Sequence, residues 1–248
     1  MNVAIPRYAA NPLLRFIDYS RQSLQILHMS TSGISMQIAL PNTLEVLEET
    51  DHAPRTPEDA AKRREEYEHE LRQAKELAEF ADKEEKNGFP LLHEHTLVGL
   101  WGAFEASVED CLIGMLLEEP ELLQNEAFSK VRIPLVEFET LEKEERMRLL
   151  IAELERGQGL GRKHGVDAFE ALLAQVKLSG AVDPEIKKTL WEMHHVRNVI
   201  VHRGSLADRR LVQGCPWMGL KVGDRIIISH RALHKYDHAL GEYLLSIA

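Results

Sequence analysis

The chain has 248 residues, 44% of them hydrophobic, which is enough apolar material for the core of one elaborate domain or two small ones. Forty Asp and Glu residues against thirty Lys and Arg residues give a formal net charge of −10. This charge excludes a general electrostatic attraction to nucleic acids or membranes. Any contact with a nucleic acid must therefore be local.

The first 88 residues are predicted to form a helical extension. Apolar residues at helical spacing predict a helix over 12–29, whereas residues 30–55, rich in Ser, Thr, Gly and Pro, predict an irregular connection with one brief strand at 34–40. The charged segment 56–88 has a cap, an acidic first turn and a glycine stop. It predicts a long helix that packs against the rest of the protein through a narrow apolar stripe.

Residues 89–248 are predicted to form a second, mainly helical domain. Its first helix carries the clearest core stripe in the chain, with apolar residues three and four positions apart between 97 and 115. Turn residues at Gly223-Asp224 predict a small β-hairpin before the last helix. The predicted elements in chain order are helices over 89–119, 140–156, 167–178 and 183–204, hairpin strands over 211–222 and 225–229, and a helix over 229–247.

Cysteine usage and hydropathy predict the compartment. Cys111 and Cys215 form no CxxC pair and are too few for a disulfide framework, which fits a reducing environment. Residues 1–7 contain no basic segment followed by an apolar run. No later stretch approaches the ~18 uninterrupted apolar residues of a membrane span. We therefore expect a cytoplasmic protein without a membrane partner.

The helix predicted over 183–204 places an arginine among apolar residues. At about 100° per residue, Arg197 falls within a stripe made of Ile186, Leu190, Met193, Ile200 and Val201. Burying an unpaired guanidinium is costly, so Arg197 requires a carboxylate, a group of carbonyls, an open cavity or the surface. Glu105, at the margin of the core helix, is the partner we expect.

The opposite side of the same helix is polar, with Trp191, His195, Asn198 and His202 in one stripe and His194 at its edge. Only a narrow strip at Glu185, Glu192 and Arg203 is expected to be fully solvated. The helix is therefore expected to be covered on two sides, by its own core on one and by a polar surface on the other, and a second copy of the chain would serve as that surface. In a straight helix Arg197 and His202 project about 140° apart. The long arginine or a second subunit must therefore close the gap if the two act together.

These residues carry a family resemblance. Arg197 is separated from His202 by four residues, the polar Asn198 follows the arginine, and Gly204 closes the helix. The segment 190–202 resembles the signature of HEPN domains, and residues 97–105 resemble the first long helix of that family. The resemblance covers residues 89–247 and leaves 1–88 outside it.

The resemblance implies an antiparallel helical bundle that forms a homodimer through the motif helix and, in many members, a metal-independent endoribonuclease that needs no cofactor. Carried over, Arg197 and His202 are the catalytic pair and Asn198 the accessory polar residue. Beside them, we expect Glu105 and His195 to support the site and Arg203 to bind the phosphate. An imidazole can take the proton of a ribose 2′-hydroxyl or protonate the departing oxygen, while a guanidinium stabilises the phosphate. The family's usual settings imply a toxin or defence effector with RNA as substrate and a cognate antitoxin.

Two alternatives to this reading stay open. A histidine near a helix end usually caps or packs, and a buried arginine usually forms a structural ion pair. The domain would then be a catalytically inactive dimeric interaction or nucleotide-binding module. A third reading is a metal-binding helix, because His230, His234 and His238 follow one another at intervals of four residues.

Overall fold

The computed structural model describes residues 5–52, 56–157, 165–178 and 182–248. Within these residues the chain forms α-helices and no strand, so the predicted mainly α class is confirmed. No helix in the described ranges combines the length and hydropathy that a membrane crossing requires. The described helices are α1 Arg7–Gln37, α2 Leu40–Thr50, α3 Pro57–Lys86, α4 Pro90–Glu118, α5 Glu126–Ser129, α6 Leu135–Thr140, α7 Lys143–Gly157, α8 Val166–Leu173, α9 Pro184–Arg203, α10 Arg209–Gly214 and α11 His230–Ile247.

The N-terminal region is more helical than predicted. α1 continues to Gln37 and α2 occupies most of the segment expected to be irregular. The hydroxyl groups that suggested a loop bond back onto helix carbonyls instead: Thr31 Oγ1 donates to His28 O at 2.9 Å and Thr43 Oγ1 to Ala39 O at 3.1 Å. Because such bonds satisfy the side chain inside a helix, Ser and Thr did not end α1 or α2.

The predicted β-hairpin is not formed. The Asp208 side chain accepts a hydrogen bond from Leu211 N at 2.9 Å and so begins α10 where the first hairpin strand was expected. A short 3-10 helix, Pro216–Met218, follows. A side-chain cap satisfies a free backbone N–H of the first turn, and here it prevailed over the β propensity of this segment.

The turn at Gly223-Asp224 does reverse the chain, but onto a different segment. Ala207 N donates to Asp224 O at 2.8 Å, and Ile226 N donates to Ser205 O at 2.8 Å. One isolated antiparallel bridge, between Leu206 and Arg225, is the β pairing found in the described part of the chain. This short pairing holds the loop after α9 against the segment that leads to α11.

The helices group into two compact units. One unit contains the residues up to Ser23 together with Glu94–Ala248, and the other is Leu24–His93. In the second unit, α2 packs on α3, and ion pairs join Arg63 to Glu48 at 3.3 Å and Lys75 to Glu45 at 3.6 Å. The predicted division of the chain at residue 88 into two domains stays a prediction.

The core of the first unit is aromatic at its centre. Phe104 of α4 packs edge-on against Phe169 of α8 and Tyr243 of α11, with ring centroids 5.5 and 5.4 Å apart. Trp101, one turn before Phe104, is 1% exposed. Aromatic pairs in this arrangement add attraction beyond that of the buried area. They join α4, α8 and α11 into the body against which α9 lies.

α9 begins and ends where the sequence predicts. Asp183 accepts a hydrogen bond from Glu185 N at 2.7 Å, Pro184 occupies the first turn, and Gly204 ends the helix with a positive φ of 58°. A residue with a side chain rarely adopts that backbone conformation, which explains the glycine. The fully buried side chains of α9 are Leu190, Met193, Val196 and Val199.

Candidate functional site

An open cavity of about 380 Å³ lies along the polar side of α9 and reaches the start of α10. It combines three imidazoles, an amide, two guanidinium groups and one carboxylate. Four of the predicted site residues, His195, Asn198, His202 and Arg203, meet here. The lining residues are His194, His195, Asn198, Val199, His202, Arg203, Asp208 and Arg210.

His202 lies in the last turn of α9 and is exposed to solvent at the cavity. Arg203 follows it, and Arg210 of α10 also lines the cavity. Two guanidinium groups near one imidazole create a local positive region in a chain whose net charge is −10. The chain can therefore attract an anion locally at this cavity, although its net charge is negative.

Arg197 does not line the cavity but is coupled to it through Asn198. Arg197 Nη1 donates a hydrogen bond to Asn198 Oδ1 at 3.1 Å, and Asn198 Nδ2 lies 3.0 Å from His194 Nε2. A guanidinium can only donate, so it fixes the amide with its oxygen toward Arg197 and its nitrogen toward His194. With the amide in this orientation, His194 Nε2 is the acceptor of the second hydrogen bond.

The expected ion pair between Arg197 and Glu105 is absent from the described residues. Glu105 lines a separate cavity of about 370 Å³ between α4, α7 and α8. Arg148 lines that second cavity too, and it is held by Glu109 at 3.1 Å and Asp110 at 2.7 Å. Arg197 is instead half-buried beside the buried side chains of α9, and its neighbour Asn198 provides the hydrogen-bond acceptor.

His195 forms a wall of the cavity that depends on a glycine. Its ring packs edge-on against Trp191 at 4.8 Å between centroids, and Trp191 Nε1 donates to the carbonyl of Gly214 at 3.1 Å. A Cβ atom added to Gly214 would lie only 2.8 Å from His195 Nε2. The absent side chain thus lets the end of α10 approach α9 closely enough to enclose His195.

Glu192 is buried, although the helical pattern predicted a solvated position. The residue is 7% exposed. Its carboxylate accepts hydrogen bonds from Trp217 Nε1 at 2.6 Å, Tyr236 OH at 2.8 Å and Lys235 Nζ at 3.2 Å. Burial, followed by the Glu192 charge, raises the pKa of Tyr236. This network fixes α9 to α11 and to the 3-10 helix 216–218, just beyond the cavity.

Sequence reasoning missed the contribution of α10 to the cavity. Asp208 and Arg210 precede the predicted hairpin strand 211–222, so no helix was expected there to bring them to the polar side of α9. The available signal was the capping potential of Asp208 ahead of Arg209 and Arg210. Gly214 could not have been identified from the sequence, because its importance lies in a contact with a residue 19 positions earlier.

No family model, curated protein or solved structure matches this chain.

Proposed function

We propose that this chain is a HEPN-like, metal-independent endoribonuclease and that the α9 cavity is its cleavage site. The observation that carries the proposal is the meeting of His202, Asn198, Arg203 and Arg210 at one open cavity. Groups that can move protons thus lie beside groups that can hold a phosphate. Cleavage of an RNA phosphodiester needs both functions and does not require a metal ion.

The proposed reaction uses the ribose 2′-hydroxyl as nucleophile. An imidazole accepts the 2′-proton while the 2′-oxygen bonds to phosphorus, and the bond from phosphorus to the 5′-oxygen breaks. A second imidazole, in its protonated form, gives a proton to that 5′-oxygen. The products are a 2′,3′-cyclic phosphate and a free 5′-hydroxyl. Arg203 and Arg210 stabilise the charge that grows on the phosphate in the transition state.

A homodimer through α9 supports this chemistry. A single cavity contains His202 but not the Arg197 side chain, which contacts it only through Asn198. Val201, beside His202, is 47% exposed and offers apolar area for a partner. Two copies related by a two-fold axis would bring both His202 imidazoles to one cleft, where one acts as base and the other as acid. A role as toxin or defence effector with a cognate antitoxin belongs to the same proposal.

The test is cleavage of a mixed RNA substrate by the full chain in the presence of EDTA. We expect His202→Ala to lower the rate at least about a hundredfold, because general acid or base catalysis contributes about 10²–10⁴. His69→Ala is the matched control, since His69 is an exposed histidine of α3 outside the cavity. Cleavage that persists in His202→Ala, or that disappears with EDTA, would overturn the proposal.

A second candidate is a nucleotide-binding module without catalysis. The concave shape of the cavity and its volume of about 380 Å³ favour it, because ligand sites of small molecules begin near this size. Such a module would bind a mononucleotide through Arg203 and Arg210 and would keep that affinity in His202→Ala. Absence of RNA cleavage together with mononucleotide binding lost in Arg210→Ala would select this candidate.

A further inference from the structure

We propose that His230 and His234 chelate one divalent transition-metal ion at the first turn of α11. The two residues are four positions apart, so both imidazoles project from the same face of the helix. Their Nε2 atoms lie 3.1 Å apart, and their ring planes are inclined by 82°. The two nitrogens that would bind a metal thus already lie close together on one face of α11.

The distance between the nitrogens matches the bite of a metal ion. With metal–nitrogen bonds of about 2.05 Å, a separation of 3.1 Å gives an angle at the metal of about 98°. This value lies between the roughly 90° of octahedral or square-planar ions and the roughly 109° of tetrahedral ones. The separation of the two nitrogens is therefore one that a single metal ion can bridge.

The protonation states also permit chelation. In the structure one Nε2 donates a hydrogen to the other, which requires one ring to carry its proton on Nε2. When both rings carry their proton on Nδ1, both Nε2 lone pairs are available to a metal ion and the net charge is unchanged. A metal ion then replaces the shared hydrogen as the group that joins the rings.

His238 belongs to the next turn and is not a third ligand. Its Nε2 lies 3.8 Å from Glu242 Oε1, farther along α11. Among the described residues, no group of three or more His, Cys, Asp or Glu side chains could hold a metal ion. The site therefore supplies two protein ligands, and because both histidines are exposed, water completes the coordination.

Two imidazole ligands select a borderline metal ion rather than Mg²⁺ or Ca²⁺, which prefer oxygen. The expected order of affinity is Cu²⁺ above Ni²⁺ and Zn²⁺, with Co²⁺ weaker than Ni²⁺. The site is on α11, and none of the residues that line the α9 cavity takes part in it. The proposed metal site is therefore independent of the proposed ribonuclease activity.

The experiment measures binding of Ni²⁺ alone to the untagged full chain by calorimetry near pH 7.5. We expect one Ni²⁺ ion to bind per chain. His230→Ala or His234→Ala should weaken this binding by more than about tenfold, because each variant removes one arm of the chelate. His238→Ala is the matched control and should bind as the unchanged protein does.

A second readout separates binding from damage to the fold. Ni²⁺ should raise the unfolding temperature of the unchanged protein and of His238→Ala, but not that of His234→Ala, because it stabilises only a state in which the first turn of α11 is formed. Ni²⁺ binding that survives in the doubly substituted His230→Ala, His234→Ala chain would overturn the proposal. An equal loss in His238→Ala would also overturn it, since the pair alone would then not be the site.

Discussion

Two polar clusters on α9 differ in how completely they are covered. Glu192 is 7% exposed, and three side chains from beyond α9 donate to its carboxylate. Less than two turns later, Asn198 joins Arg197 to His194 at the edge of an open cavity. Burial with several donors makes the first cluster a structural connection, whereas solvent access leaves the second free to bind a ligand. The number of polar residues on a helix does not separate these roles, but their covering does.

The largest effect on the free energy of unfolding should come from removing the carboxylate of Glu192 in the covered cluster. Glu192→Ala would leave the Trp217 and Tyr236 donors without their acceptor inside the protein. We expect it to lower the free energy of unfolding by about 3 kcal/mol, as measured by urea denaturation. Asn198→Ala, in the open cluster, should cost less than about 1 kcal/mol, because water can replace the lost amide. Equal losses in the two variants would contradict the distinction between the clusters.

Alkaline titration should sharpen the comparison, because Cys215 lies beside the covered cluster. Burial, followed by the Glu192 charge, raises the pKa of Cys215 to about 12, and burial with the Asp110 charge does the same for Cys111. An unfolded thiol titrates near 8.5. The folded state therefore favours the protonated thiols, and this contribution is present below about pH 8.5 and is lost as the pH rises toward 12.

Denaturation at a series of pH values checks this expectation. The free energy of unfolding should fall above about pH 8.5. The fall should be shallower when both cysteines are replaced by alanine, although burial also raises the pKa of Tyr236 and Tyr243 and keeps part of the slope. In the folded chain both thiols should resist alkylation near pH 8. Rapid alkylation of Cys215 without unfolding would show that the region around Glu192 is not closed.

The smallest of these effects concerns the wall of the open cavity. Gly214→Ala brings a methyl group within 2.8 Å of His195 Nε2, so the imidazole has to move. We expect a loss of about 1 kcal/mol in the free energy of unfolding. Gly102→Ala is the control: that helical position has no atom within 4 Å of an added Cβ, and the change should stabilise by roughly 0.5–1 kcal/mol. A gain of stability in both variants would mean that His195 is not confined.

Sequence signals within one or two helical turns correctly predicted the features that interactions over the same short range control. Asp183, Pro184 and Gly204 fixed both ends of α9 because caps and stops act over a single turn. The apolar spacing of α4 likewise identified Trp101 and Phe104 as core residues. Local chemistry also explains one error, since the cap made by Asp208 was overlooked and α10 was taken for a strand.

The sequence by itself thus determined the helical class, the bounds of α9 and the presence of His195, Asn198 and His202 on its polar side. Only the tertiary structure decided that Arg197 bonds to Asn198 rather than to Glu105, and that Glu192 is buried. The physical reason is that a helical repeat gives the direction of a side chain but not what covers it. The covering of Glu192 comes from residues 217, 235 and 236, and the wall beside His195 comes from Gly214.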